Sequence, residues 1–174
     1  VIHRFSLRGS IESKFVKSIR YVVEDSSGNG NEKFQKIYEN HLENKTKKYR
    51  KVKPLTILVT KNITACKQLT DKLIDFLAKK EKITKEKAAG KVLIVTSSNE
   101  HKSNIPTLQR VDDKDNSVEW ITSVSMLSEG WDVKNVFQIV PHEERAFNSK
   151  LLIAQVLGRG LRVPEIYKGN QPVV

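Results

Sequence analysis

The 174-residue sequence contains one cysteine, one methionine, eight glycines and five prolines. Glycine and proline are too scarce for a collagen-like chain or a Pro/Gly-rich disordered chain. The single cysteine, Cys66, cannot form a disulfide within the chain, and it has no metal-ligand spacing with the four histidines, His3, His41, His101 and His142. We therefore expect a reducing, cytoplasmic setting and no bound metal.

Long apolar runs are also missing. The longest, residues 55–59 and 92–95, have the length of β-strands and fall far short of the roughly 18 residues that cross a bilayer. Residues 1–4 contain no initiator methionine and show no signal-peptide pattern, so we expect a fragment of a larger protein. No membrane association is expected.

Acidic residues are in the minority. The chain has 20 Asp and Glu against 31 Lys and Arg, a formal net charge of +11, and 38% of it is hydrophobic, enough for a globular core. Residues 45–53 hold six positive charges and no acid. Such a run either contacts nucleic-acid phosphates or forms a solvated helix end and linker. Both interpretations stay open.

The first 53 residues are predicted to form a connector. A strand is expected over residues 15–23, followed by a Gly-rich turn. Apolar residues then recur at the spacing of one helical face, and the basic run and Pro54 end this pattern. The residues on that face are Phe34, Ile37, Tyr38 and Leu42.

From Leu55 onward, apolar strands alternate with helices. Strands are predicted over residues 55–60, 92–96, 118–124 and 135–140, and helices after Asn62, a capping residue, and over residues 151–157. Cys66 falls on the apolar stripe of the first helix, which favours core packing over a nucleophilic role. This alternation predicts an α/β fold with a parallel sheet and helices on both faces, which binds ligands beyond the carboxyl ends of its strands.

Two segments have the residue types of a phosphate site. In residues 123–133, SVSMLSEGWDV, hydroxyls and amides can hold a phosphate, Gly130 permits a tight turn, and Asp132 can accept hydrogen bonds from sugar hydroxyls. Composition alone favours an ordinary strand-to-loop segment in which Asp132 is a capping residue.

The second segment is residues 155–162, QVLGRGLR. On a helical turn, Gln155, Arg159 and Arg162 project from one face, and the planar arginine side chain suits a polyphosphate. Gly158 and Gly160 would each destabilise a helix by about 1 kcal/mol relative to alanine, which indicates close approach of a ligand or backbone.

In this order, with a predicted strand between them, MLSEGWDVKNV and QVLGRGLRVP resemble motifs V and VI of superfamily 2 helicases. They resemble most specifically the Res (helicase/ATPase) subunit of type III restriction endonucleases. The resemblance covers residues 55–164, with residues 55–77 as the motif IV region. It implies that residues 54–174 form the second RecA-like domain of an ATP-dependent DNA helicase or translocase, and that residues 1–53 join it to the N-terminal RecA-like domain.

The resemblance also implies roles for individual residues. Arg159 and Arg162 would be the catalytic arginine fingers for the γ-phosphate. The implied nucleotide-binding positions are Gln155, Gly130, Asp132 and Gly158. Val156 stands where many superfamily 2 members have a further arginine, so no role is assigned there. Backbone N–H groups and hydroxyls at strand ends suggest DNA contacts at Thr60, Lys61, Asn62, Ser97, Ser98 and Ser125.

The sequence contains no GxxxxGK[ST] phosphate loop and no Asp-Glu-x-His-type magnesium motif. ATP and Mg²⁺ would therefore be held mainly by the N-terminal domain of the same protein, and the isolated chain is predicted to be inactive. The other implied partners are double-stranded DNA and a modification (methyltransferase) subunit. No nuclease centre is visible.

Two alternatives stay open. One is another superfamily 2 translocase, such as a type I restriction motor or a repair helicase. The other is a non-catalytic, basic nucleic-acid-binding module. A phosphate loop upstream of Val1 in the full-length sequence would favour a motor over the binding module.

Overall fold

The computed structural model describes residues 30–124, 133–141 and 163–167. The strand predicted over residues 15–23 and the helix predicted over residues 151–157 lie outside these ranges. Among the described residues, no helix is both long enough and apolar enough to cross a membrane.

The described residues form a four-stranded sheet in which every pairing is parallel. Its strands are β1 (Leu55–Thr60), β2 (Val92–Val95), β3 (Trp120–Val124) and β4 (Val136–Pro141). Their spatial order is β2-β3-β1-β4. All six residues of β1 are buried, as expected of a strand with neighbours on both sides and cover on both faces. The predicted α/β fold with a parallel sheet is confirmed.

Four α-helices lie in the described ranges. They are α1 (Gly30–Glu43), α2 (Ile63–Glu81), α3 (Lys85–Ala89) and α4 (Ile105–Gln109). Residues Asn44–Lys48 continue α1 as a π-helical turn, and 3₁₀ turns cover Asn99–Asn104 and Glu165–Tyr167. The five-residue helices α3 and α4 were not predicted, because so short a segment shows no helical periodicity.

Helix α2 has the start and the buried face that the sequence predicts. The Asn62 side chain accepts a 2.8 Å hydrogen bond from the Ala65 N–H, which satisfies one of the unpaired donors of the first turn. Its buried stripe consists of Cys66, Leu69, Thr70, Leu73 and Leu77. The helix therefore lies with one apolar face against the sheet.

Each face of the sheet has its own core, because successive side chains of a strand point to opposite faces. Leu58 and Trp120 pack beneath α1 and α2. Ile57 and Ile121 point to the other face, where Leu108 of α4 packs against them. The prediction that both faces are covered is thus confirmed for the described residues.

Helix α1 belongs to the segment that the sequence analysis assigned to the connector, and it packs directly on the sheet. The ring of Tyr38 stacks on Trp120 with centroids 6.3 Å apart. Asn40 Nδ2 donates a 2.6 Å hydrogen bond to Gln138 Oε1 on β4. Residues 30–43 therefore form part of the layer that covers this face.

Candidate phosphate-binding site

Because the strands are parallel, their carboxyl ends meet at one edge of the sheet, which we call the carboxyl edge. Its described part comprises residues 60–62, residues 96–98, and the strand ends Val124 and Pro141. Val124 pairs with Thr60, and Val95 pairs with Ser123. The end of β3 therefore lies between the ends of β1 and β2.

Lys61 and Asn62 form the exposed link between β1 and α2. Asn62 uses its side-chain oxygen to cap α2. Lys61 places a positive charge beside the start of that helix, where backbone N–H groups and the helix dipole already favour an anion. These two predicted residues lie where a phosphate can reach them.

Thr60 is placed differently from the predicted phosphate contact. Its side chain is fully buried, and its hydroxyl lies 3.3 Å from the carbonyl oxygens of both Asn62 and Ser123. The hydroxyl proton is used inside the protein, where it joins β1 to the following loop and to β3. Thr60 supports the carboxyl edge from within and does not face a ligand.

Ser97 and Ser98 follow β2 at the same edge. Ser97 is exposed, whereas the Ser98 hydroxyl donates a 3.2 Å hydrogen bond to Glu100 Oε1. The same oxygen accepts a 2.6 Å hydrogen bond from Lys67 Nζ on α2, which lowers the pKa of the Glu100 carboxyl. A carboxylate beside Ser98 disfavours a phosphate there, so Ser97 is the better placed of the two hydroxyls.

The other predicted site residues lie outside the described part of the chain. They are Ser125, Gly130, Asp132, Gln155, Gly158, Arg159 and Arg162. Their roles stay predictions.

The basic run lies at the opposite edge of the sheet. Lys53 comes two residues before β1, whereas Lys61 follows it, and a six-residue strand spans roughly 17–20 Å. The structure thus separates two features that the sequence analysis considered together as possible DNA contacts. We call the edge where the strands begin the amino edge.

Three lysines of the basic run already have partners within the protein. Lys45 donates to Glu119, Lys48 lies 3.6 Å from Glu43, and Lys53 Nζ donates a 2.6 Å hydrogen bond to the carbonyl oxygen of Asn116. This part of the run is neither a plain solvated linker nor a row of free charges. Its lysines help to hold α1 and the loop before β3 against the sheet.

Glu119 is the centre of a buried polar cluster that the sequence analysis missed. Burial acts to raise its pKa, but His41 and Lys45 outweigh burial and lower the pKa of the carboxyl to about 2. His41 Nε2 lies 3.6 Å from Glu119 Oε2, an ion-pair distance, and His41 Nδ1 lies 2.8 Å from Thr56 Oγ1. The imidazole also stacks on Trp120 at 4.2 Å. The cluster ties α1 to β1 and β3.

One signal pointed to part of this cluster. His41 comes three residues after Tyr38 and therefore falls on the buried face of α1. Its carboxylate partner is 78 positions further along the chain, beyond the reach of any local pattern.

No protein-family model, curated protein or solved structure matches this chain. Among the residues that the structure describes, no group of His, Cys, Asp or Glu side chains is arranged to hold a metal ion. The motifs of the sequence and the geometry of the two sheet edges are therefore the features that indicate a function.

Proposed function

We propose that this chain is the second RecA-like domain of a DNA-dependent ATPase of helicase superfamily 2, and specifically of a type III restriction Res subunit. Two observations support the proposal. The segments around Gly130 and Arg159 resemble motifs V and VI of that family. The described residues form the parallel α/β sheet, covered on both faces, that such a domain requires.

The observation that carries the proposal is the position of β3. This strand lies between β1 and β2, and the motif V-like residues follow its end directly in the sequence. Ligands of parallel α/β sheets bind beyond the carboxyl ends of the strands. A nucleotide-contacting segment is therefore expected immediately after a strand in this position.

The mechanism follows from the residue types. ATP would bind between this domain and the N-terminal RecA-like domain, which would hold Mg²⁺ and most of the triphosphate. Arg159 and Arg162 would approach the γ-phosphate and stabilise the charge that develops as it is transferred to water. Closure of the two domains would couple this step to movement along double-stranded DNA.

The arginines provide the test. In the full-length protein that carries this chain, we expect Arg159→Ala and Arg162→Ala each to lower DNA-stimulated ATP hydrolysis by about 10³- to 10⁵-fold, the scale of an arginine finger. Arg110→Ala is the matched control, because Arg110 is an exposed arginine that contacts Asp113 outside both motifs. Near-normal turnover by either motif variant would contradict the role of that arginine.

The isolated chain gives a second test. Without a phosphate loop it should not hydrolyse ATP, with or without DNA, in a steady-state assay. Robust DNA-stimulated turnover by the 174-residue chain alone would contradict the proposal that it is half of an active site.

A non-catalytic nucleic-acid-binding module is the second candidate. The observations that favour it are the net charge of +11 and the lysines gathered at the amino edge. The full-length sequence separates the two: a phosphate loop upstream of Val1 supports the motor, and its absence supports the module.

A type I restriction motor or a repair helicase would give the same ATPase results as a Res subunit, so co-purification with a methyltransferase subunit is the test that favours the restriction system. The single cysteine supports a cytoplasmic location.

A further inference from the structure

A groove of about 660 Å³ runs along the amino edge of the sheet. Its charged residues are Lys45, Lys53, Lys87, Lys91, Lys114 and Glu119. We call it the lysine groove. No aromatic or arginine side chain lines its described wall.

The strand order creates this groove. Lys91 immediately precedes β2, Lys53 comes just before β1, and Lys114 lies in the turn region that leads to β3. Because β2, β3 and β1 are consecutive neighbours in the sheet, their entering loops lie side by side. Neighbouring strands are about 4.8 Å apart, so these three loops span roughly 10 Å.

The positive charge of the groove is only partly neutralised within the protein. Lys45 pairs with Glu119, and Lys91 pairs with Glu81 at 2.6 Å. Lys87 and Lys114 are exposed, and neither side chain makes a hydrogen bond or ion pair with another residue in the described ranges.

Lys53 is intermediate between the paired and the unpaired lysines of the groove. Its ammonium is half buried, and burial lowers its pKa despite the neighbouring carboxylates, of which Glu119 has the largest effect. An anion in the groove would stabilise the charged form of Lys53. It would also neutralise the positive charges of Lys87 and Lys114.

We propose that the lysine groove binds the phosphodiester backbone of a nucleic acid. The ammonium groups of lysine act as point charges for phosphate oxygens. No aromatic or arginine side chain of the described wall can stack on bases, and most of the charged groups are lysines suited to phosphates, so we expect binding to depend little on base sequence. A strand of duplex DNA carries one phosphate per 3.4 Å of helix axis, so the roughly 10 Å width of the three loops is enough to face at least two phosphates.

This surface is separate from the carboxyl edge, where the sequence predicts contacts with nucleotide and DNA. It extends the DNA-binding part of the proposed function without depending on the ATPase assignment. A nucleic acid can be held in the groove whether or not the chain belongs to a motor.

The experiment measures how binding of the 174-residue chain to a fluorescein-labelled duplex of mixed sequence depends on salt. We expect the double substitution Lys87→Gln/Lys114→Gln to remove two phosphate contacts. Both lysines line the groove, and neither forms an ion pair with a described residue. The slope of log affinity against log salt should become less steep by about 1.8. If both proteins bind equally at 1 M salt, this predicts about 60-fold weaker binding of the variant at 0.1 M salt.

The matched control is Lys72→Gln/Lys80→Gln, which removes two exposed charges of α2 that do not line the groove and lowers the net charge equally. It should leave the slope almost unchanged. Lys87→Arg/Lys114→Arg keeps both charges and should also retain the slope. Far-UV circular dichroism of each variant verifies the fold.

Three results would overturn the proposal. The first is an unchanged slope in the folded Gln variant, and the second is an equal loss in the α2 control, which would assign the effect to net charge alone. The third is that the Gln variant binds DNA normally but binds phosphatidylserine vesicles less well than the unmodified chain, which would make the groove a lipid-binding surface. None of these results bears on ATP hydrolysis by the full-length protein, so the two proposals fail independently.

Discussion

The buried carboxylate of Glu119 leads to a prediction about acid stability. Only 8% of the residue is exposed, yet Lys45 and His41 hold the pKa of its carboxyl at about 2, below the ordinary value of 4.5. A carboxyl whose pKa is lower in the folded state stabilises the fold above the unfolded-state pKa, and this contribution is lost as the pH falls towards the folded-state value. The relevant window therefore runs from about pH 4.5 down to about pH 2.

The substitution Glu119→Gln keeps the shape of the side chain and removes its charge. Lowering a pKa from 4.5 to about 2 corresponds to roughly 3 kcal/mol, and since the Lys45 side chain is 41% exposed, solvent screening reduces this to about 2–3 kcal/mol. We expect Glu119→Gln to lower the free energy of unfolding by that amount at pH 7. The loss should shrink to less than half of its pH 7 value at pH 3, where the wild-type protein has itself lost most of this stabilisation.

Urea unfolding at pH 7 and pH 3 measures both values. Tryptophan fluorescence is a suitable signal, because Trp120 adjoins Glu119 and stacks on His41. Glu100→Gln is the matched control, since this exposed carboxylate also pairs with a lysine and should change stability little at either pH. An equal loss at the two pH values for Glu119→Gln, or no loss at pH 7, would refute the assignment of a charge-stabilised carboxylate.

Two further predictions concern helix α2. Asn62→Ala should lower the free energy of unfolding by about 1 kcal/mol, because the Ala65 N–H loses its acceptor, whereas Asn62→Asp keeps an acceptor and should preserve stability in the same urea experiment. An equal loss in both variants would show that the cap does not stabilise the helix. Burial raises the pKa of the Cys66 thiol, although hydrogen bonds with Thr60, Thr122 and Thr70 act to lower it. Its reaction with a disulfide reagent at pH 8 should therefore be slow in the folded protein and become fast in urea; a fast reaction without urea would place this thiol at an accessible surface.

The sequence by itself determines the elements whose signals are local. Strand β1 and helix α2 are examples, because a continuous apolar run, a capping asparagine and a helical apolar stripe each depend only on residues close in the chain. The bounds of β1 agree with the prediction, and those of the other three strands differ from it by one or two residues. Strand β3 begins at Trp120 and not at Val118, because the Val118 N–H donates to the Asn116 side chain in a turn.

Short helices cannot be predicted from local sequence signals in this way. Helix α3 is one turn long, and its start depends on the Thr84 hydroxyl, which accepts from the Lys87 N–H at 3.3 Å. A single serine, threonine or asparagine before a polar stretch is too common to predict a helix. Packing of Ala88 against the core is what selects the helical conformation in this case.

The tertiary structure decides which residues meet. Pairing of β3 between β1 and β2 brings Lys53, Lys91 and Lys114 to one groove, although 61 positions separate the first from the last. It also places Glu119 beside His41, and buries the hydroxyl of Thr60, a residue whose position at a strand end suggested exposure. Strand order depends on contacts between distant segments, and no periodicity within a segment records it. For that reason the sequence predicts the parallel sheet. Only the fold shows that Lys61 lies at the carboxyl edge and the lysine groove at the amino edge.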